Sequence, residues 1–338
     1  MKGIAWIAVL MAAVTLGVQA QTAPSSPPRR IVLLVDEYKA IRNFPVIVAE
    51  RLGYLDDGDT IVTVMNIRDD IPTAKMLTDG RVDAVMAYYH HNIVNRAEGR
   101  DFEAIVSLGV TPGAKVLVAK HARDKYKTAA DLKGSRIIAG GAGSSKTTVA
   151  NALMLAGGLR LDDYTRIANE SKDKIAEALK SGAADLVVAP TPDGDYYESQ
   201  GVATVFADLT TVEGTRKALG ALLPTSTIYM RSALARSHPE IAQHLANAFV
   251  RALKYINSHT PEEVAALIPE TISGKDRAAY LKVLREEMPM FANDGRMPAE
   301  GAAFEWKVLS EFNPKFKAVH VEQTYTNAFV DAALERYR

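Results

Sequence analysis

Residues 137–158 read IIAGGAGSSKTTVANALMLAGG. Counted from Gly140 they give G-x-x-x-x-S-K-T, one residue away from the phosphate-loop pattern G-x-x-x-x-G-K-[ST]. Two chemistries compete for this stretch. A nucleotide loop needs the backbone freedom of glycine where Ser145 stands, because its amides must come close to phosphate. A small-anion site needs only a Gly-rich turn, a capping hydroxyl and the free N–H groups of a helix's first turn. The helix dipole then adds about 0.3–1 kcal/mol for a bound negative charge. The second chemistry is the expected one. Ser144 is the candidate N-cap, the hydroxyls of Ser145 and Thr147 suit a sulfonate, carboxylate or nitrate, and Lys146 adds charge if it turns inward. The alternative is an ordinary Ser-capped helix with Lys146 in solvent.

Other polar clusters fall where apolar runs end. VDEYKAIRNFP places Asp36, Glu37, Tyr38, Arg42, Asn43 and Phe44 between a strand and a helix that begins near Pro45. Glu37 or Asp36 could take an amine, Arg42 an anion, and Tyr38 and Phe44 could stack on a ring. AYYHHN sets Tyr88 and Tyr89 at a strand end, suited to an aromatic ligand body with hydroxyls for its polar edge. His90 and His91 raise a metal question, but adjacent histidines are expected to point apart and no other His is near in sequence, so no metal is expected. Thr191 and Asp193 sit at the matching strand end of the second half, and Thr111 is a weaker candidate near the first crossing. No G-x-S-x-G, no H-E-x-x-H and no cysteine is present, so neither catalysis nor a cofactor is expected. The pairs Asp69-Asp70 and Asp162-Asp163 read as caps and solvated faces.

An internal echo supplies the frame for these clusters. LTDGRVDAVMA (residues 77–87) and LKSGAADLVVA (residues 179–189) share L-x-x-G-x-x-D-x-V-x-A at an offset of 102. Each copy reads as a helix ending at Gly and then a short strand. Upstream of each lies another matched strand and loop, RRIVLLVDEY and GSRIIAGGAG. The alternation predicts an α/β fold with two similar lobes. GAKVLVAK and LLPTSTIYMRS read as extended crossings that form a hinge, and the helical tract from His238 onward is expected to pack on lobe one. The expected boundaries are 21–119 for the first part of lobe one, 120–221 for lobe two, and 222–338 for the hinge return and the rest of lobe one. A ligand would bind between the facing strand ends.

Residues 1–20 read as a signal peptide: Lys2, an apolar run from Ile4 to Val18, and small residues at Val18-Gln19-Ala20. That run is short for a membrane span of about 20 residues, so cleavage is expected to leave a mature chain starting at Gln21. The 40 basic and 40 acidic side chains balance, which gives no reason to expect nucleic acid as a partner. A monomer is expected.

Four segments, taken in order, resemble one family. FPVIVAERLGYLDDGDTIVTV is similar to the first helix and second strand of the nitrate/sulfonate/taurine family of ABC-transporter periplasmic substrate-binding proteins, which also includes thiamine-precursor binders. TAADLKGSRIIAGGAGSSKTTVANALMLAGGLRLDDYTRI resembles the opening of that family's second lobe. LKSGAADLVVAPTPDG and HPEIAQHLANAFVRALKYI resemble two later motifs. PTPDG departs from the Glu-Pro or Trp-Glu pair the family often carries, which bears on the ligand rather than the fold. The resemblance implies a two-lobed periplasmic binding protein with two crossover strands as hinge and a helical C-terminal tract. It further implies delivery of a small organic anion, a sulfonate or carboxylate, aromatic ones included, to the membrane permease of an ABC importer. A neutral heterocycle such as a thiamine precursor is the alternative ligand. An exported enzyme on the same scaffold, or a sensor for a membrane receptor, is the alternative of another class. A pyrimidine-forming relative uses a Cys-rich motif that this sequence lacks.

Overall fold

The computed structural model describes residues 28–67 and 72–338; the signal-peptide reading, the start at Gln21 and the Asp69-Asp70 pair lie outside these residues. Runs of buried β-branched and aliphatic residues, such as IVLLV in Arg29–Val35, form strands covered on both faces, as a mostly parallel sheet requires. The strands are β1 (Arg29–Val35), β2 (Thr60–Asn66), β3 (Ala84–Tyr88), β4 (Phe102–Ser107), β5 (Ala114–Ala119), β6 (Arg136–Ile138), β7 (Thr165–Ile167), β8 (Leu186–Pro190), β9 (Ala203–Asp208) and β10 (Ser226–Arg231). They make two five-stranded sheets of matching order, β2-β1-β3-β10-β4 and β7-β6-β8-β5-β9. In the first, β1 runs parallel to β2 and β3, while β10 is antiparallel to β3 and β4. In the second, β6 runs parallel to β7 and β8, while β5 is antiparallel to β8 and β9. Each sheet therefore takes one strand that arrives from the other lobe, and the two crossings run just before β5 and β10.

The echo has a structural meaning. Gly80 and Gly182, both at positive φ (70° and 80°), end the helices Thr73–Thr78 and Lys172–Ser181. The Asp three residues on ties the next strand to the first strand of its lobe. Asp83 Oδ2 accepts the Val32 N–H at 2.8 Å, and Asp185 Oδ2 accepts the Arg136 N–H at 2.9 Å. The repeated Asp is thus a fastener, remote from ligand chemistry.

The helix Pro239–Ser258 carries an apolar stripe (Leu245, Phe249, Leu253, Ile256) and buries it in the first lobe's core beside the helix Phe44–Arg51. The rest of the C-terminal tract does more than cover lobe one. Leu284 of the helix Arg277–Glu287 belongs to the first core, yet the same helix reaches the second lobe through Lys282 and Glu286, which with Lys115 close an ion-pair network on Asp195. The helix Ala299–Phe312 gives Ala302 and Leu309 to the first lobe and Val308 to the second. Apolar periodicity says that a face is buried, not against what. The tail also pairs with a strand: the Ala104 N–H donates to Thr324 O and the Thr326 N–H to Ala104 O, both at 2.9 Å, covering the edge of β4.

Candidate ligand-binding cleft

Loops leaving the C-terminal ends of β1, β3, β6 and β8 converge on a cavity of about 340 Å³ between the lobes. On the second-lobe wall, Gly140 and Gly143 (φ 78° and 79°) turn the chain after β6 through a conformation that side chains resist. Ser144 then caps the helix Ser145–Ala156: its Oγ accepts the Thr147 N–H at 3.2 Å and its hydroxyl donates to Ala139 O at 3.0 Å. The Thr147 hydroxyl donates to Gly141 O at 2.7 Å. Ser144 is thus the N-cap as expected, and neither it nor Thr147 lines the cavity: the Thr147 hydroxyl, expected on the ligand, serves the loop instead. Replacing Ser144 with Ala is expected to cost about 1 kcal/mol of stability, read from urea unfolding midpoints; an unchanged midpoint would show the cap to be idle.

Ser145 and Lys146 do line the cavity, with Thr148 and Val149 one turn on. The N–H groups of Ser145 and Lys146 belong to the helix's unsatisfied first turn. Lys146 Nζ has Asn169 Oδ1 at 3.4 Å, and among the described residues no carboxylate pairs with it.

The first-lobe wall is built differently. Asn43, fully buried, donates to Asp36 O and accepts from the Ser226 hydroxyl at 2.7 Å, which fixes the loop after β1. Glu37 sits at φ 45°, unusual for a side-chain-bearing residue. Arg42 pairs with Glu37 at 2.6 Å and with Asp36 at 3.5 Å, and lies 4.7 Å above the Tyr88 ring. Asp36, Glu37, Arg42 and Tyr88 line the cavity, so the Arg42 charge is more than matched by the two carboxylates on this wall. Tyr38 and Phe44 turn away. The Tyr38 hydroxyl donates to Glu50, and burial, reinforced by Glu50, pushes its pKa above the usual range. Phe44 is fully buried against Phe291. Tyr89 departs from Tyr88 into the core under the first sheet, where its hydroxyl meets that of Thr324. Thr111 is buried with its hydroxyl on Thr210 O at 3.4 Å. Thr191 opens the helix Thr191–Ser199 and Asp193 lies in its first turn; both are outside the cavity lining.

Two groups the sequence reading left out of the ligand site complete it. His90, considered there only for metal, and Glu305 line the cavity, with His90 Nδ1 4.0 Å from Glu305 Oε1. Burial, with His91 beside it, pushes the His90 pKa well below the ordinary value, burial alone lowers His91 to about 4, and burial raises Glu305 well above the carboxylate range. Burial thus favours the uncharged form of all three. The rings of His90 and His91 lie 4.2 Å apart rather than pointing away from each other, because they open the helix His90–Ala97, where neighbours diverge by about 100° and not the 180° of a strand. Among the described residues no group of three or more His, Asp or Glu could hold a metal ion. Glu305 had a legible signal, a charged residue at position i+3 in the apolar stripe Ala302, Glu305, Leu309.

A second groove of about 710 Å³ shares Glu37, Arg42 and Tyr88 and runs on to Glu287. The Glu287 carboxyl faces the Thr191 N–H and hydroxyl, so a side chain from the lobe-one side reaches the start of a lobe-two helix. Burial is the largest influence on it and raises its pKa to about 7 against the opposing pull of Thr191. A raised carboxyl binds its proton more tightly in the folded chain, so its contribution is fully present below about pH 4.5 and is lost as pH rises to 7. Between pH 5 and pH 8 the wild type is expected to lose about 2–3 kcal/mol relative to Glu287→Gln. Urea unfolding of both proteins at the two pH values checks this, and parallel pH profiles would contradict it.

Two α/β lobes, two crossing strands and a polar cavity at the facing strand ends define a two-lobed binding-protein fold. The chain belongs to the NMT1/THI5-like family, whose model matches residues 41–264. It is 28% identical to a protein of Bordetella bronchiseptica RB50 whose structure superposes with a TM-score of 0.72, covering 91% of this chain and 98% of that one. The periplasmic aliphatic sulphonate binding protein SsuA of Escherichia coli shares the fold at 19% identity and a TM-score of 0.65, covering 88% of this chain and 92% of that one. A 4-amino-5-hydroxymethyl-2-methylpyrimidine phosphate synthase of Legionella pneumophila is 20% identical over 314 residues, 91% of this chain and 94% of its own length.

Proposed function

We propose that this protein is a periplasmic solute-binding protein that captures a small organic anion, a sulfonate or carboxylate, between its lobes and delivers it to the permease of an ABC importer. The observation that carries the reading is the asymmetry of the cavity. The first-lobe wall has its Arg42 charge matched by Glu37 and Asp36, whereas the second-lobe wall offers Lys146 and the first-turn N–H groups of Ser145 and Lys146. An anion held there draws the lobes together, since it gains contacts in the closed arrangement that the open one lacks. Residues 1–20 supply the export signal in this reading.

A neutral heterocycle is the second reading, favoured by the Tyr88 and His90 rings 5.7 Å apart on the cavity wall. The relation to a pyrimidine phosphate synthase points the same way. Synthesis by a cysteine-dependent route is closed to a chain without cysteine.

A thermal-shift panel of benzenesulfonate, benzoate, taurine, nitrate and 4-amino-5-hydroxymethyl-2-methylpyrimidine separates these readings. A ligand at 100 times its dissociation constant adds about 2.7 kcal/mol of stability. Stabilisation by a sulfonate or carboxylate supports the first reading. Stabilisation by the pyrimidine alone would replace it with the second, and no shift with any of the five would overturn both.

A further inference from the structure

The Glu305 side chain presents a group that nothing among the described residues satisfies. It is 2% exposed and sits on the cavity wall; its Oε1 lies 4.0 Å from His90 Nδ1, and its Oε2 is buried with no hydrogen-bond partner. Its helix, Ala299–Phe312, is anchored in both cores through Leu309 and Val308, which holds the backbone that carries the carboxyl in place. A buried oxygen left without a partner is costly, and a ligand group that bonds to it recovers that cost. We propose that Glu305, with His90 beside it, forms an uncharged hydrogen-bonding subsite that selects anions bearing a hydroxyl or similar neutral group on the end remote from the charge, and disfavours those with a second ionised group there. The proposal rests on the anion reading above and extends it to the other end of the ligand.

The surroundings support the uncharged character. His90, on the helix His90–Ala97 with the His91 ring 4.2 Å behind it, lies beside Glu305; the buried Tyr89 is also near the carboxyl, and Tyr88 lines the same cavity. The cation on this wall, Arg42, is engaged by Glu37 and Asp36. Burial shifts both histidines and the Glu305 carboxyl toward their uncharged forms. With Lys146 taken by the first anionic group and Arg42 engaged by carboxylates, a second carboxylate or sulfonate on the ligand would enter a buried region without a counter-charge of its own. A hydroxyl can both donate to and accept from a protonated carboxyl.

Titration calorimetry of the full chain with benzenesulfonate, 3- and 4-hydroxybenzenesulfonate and 4-sulfobenzoate tests this. One of the hydroxylated isomers is expected to bind about tenfold or more tightly than benzenesulfonate, and 4-sulfobenzoate more weakly than it. In Glu305→Leu the ratio between the hydroxylated compound and benzenesulfonate should fall to about one; in Glu305→Gln, which keeps a donor and an acceptor, most of the preference should survive. Equal affinity of the wild type for benzenesulfonate and both hydroxylated isomers would overturn the subsite and leave the anion reading standing, whether or not the variants fold. Tightest binding by 4-sulfobenzoate would overturn it likewise. Binding of none of the four would remove the anion reading and this inference with it.

Discussion

Ser145→Pro is expected to lower affinity for a bound sulfonate tenfold or more while leaving the fold intact. Proline is a natural occupant of the first helical position, because the N–H it lacks has no partner inside the helix and its fixed φ suits the turn. It also restricts the residue before it to extended conformations, and Ser144 already sits at φ −74°, ψ 155°. The substitution therefore removes one N–H and one hydroxyl from the cavity wall and little else. A hydrogen bond to a charged group contributes about 1.5–3 kcal/mol, which converts to a factor of about ten to over a hundred in affinity. Calorimetry with the tightest sulfonate of the panel gives the loss, and the urea midpoint should stay within about 0.5 kcal/mol of wild type. Unchanged affinity would mean that the first-turn amides do not hold the anion.

Asp185→Ala is expected to be the most destabilising of the substitutions considered, at about 3 kcal/mol or more. Asp185 is buried and accepts the Arg136 N–H, both arms of the Arg136 guanidinium (3.0 and 2.7 Å) and a contact from His121 at 3.3 Å. Hydrogen bonds to a charged group contribute about 1.5–3 kcal/mol each and are not additive. Asp83→Ala, at the matching place of the first lobe, removes the bond to the Val32 N–H and should cost less. Burial alone would raise the Asp185 pKa, but Arg136 and His121 outweigh it and hold the group below its usual value. A depressed carboxyl contributes its stability above the unfolded pKa of about 3.9 and loses it as pH falls through the folded value. The gap between wild type and variant should therefore be complete at pH 6 and shrink in stronger acid. A gap that widens on acidification would contradict this account.

Features whose cause is local were legible in the sequence. The L-x-x-G-x-x-D echo combines a helix stop and a strand start, and both copies form as read. The GAGSSKTT loop carries its own cap chemistry, which brought Ser145 and Lys146 to the cleft. Legibility failed where the third dimension decides. The loop after β1 is polar and aromatic throughout, and nothing in its composition says that Arg42 faces the cleft while Tyr38 and Phe44 face the core. Ser144 and Thr147 have the hydroxyls of ligand contacts, yet the turn's own carbonyls claim them first. Glu287 and Glu305 come from a helical tract far along the chain, and only the packing of that tract across both lobes brings them to the cleft.

The exchange of strands between the sheets also sets an order of birth. All the strands of the second sheet lie on one uninterrupted stretch, from Ala114 in β5 to Asp208 in β9. The first sheet waits for β10, which enters between β3 and β4, and then for residues 324–326, which seal β4. As a chain released N-terminus first, the protein can finish its middle before its beginning. Until β10 arrives, β3 presents one unpaired edge and β4 two, the kind of edge that recruits a stray strand. The vulnerable newborn is thus the lobe made first, and the tail is the last stitch.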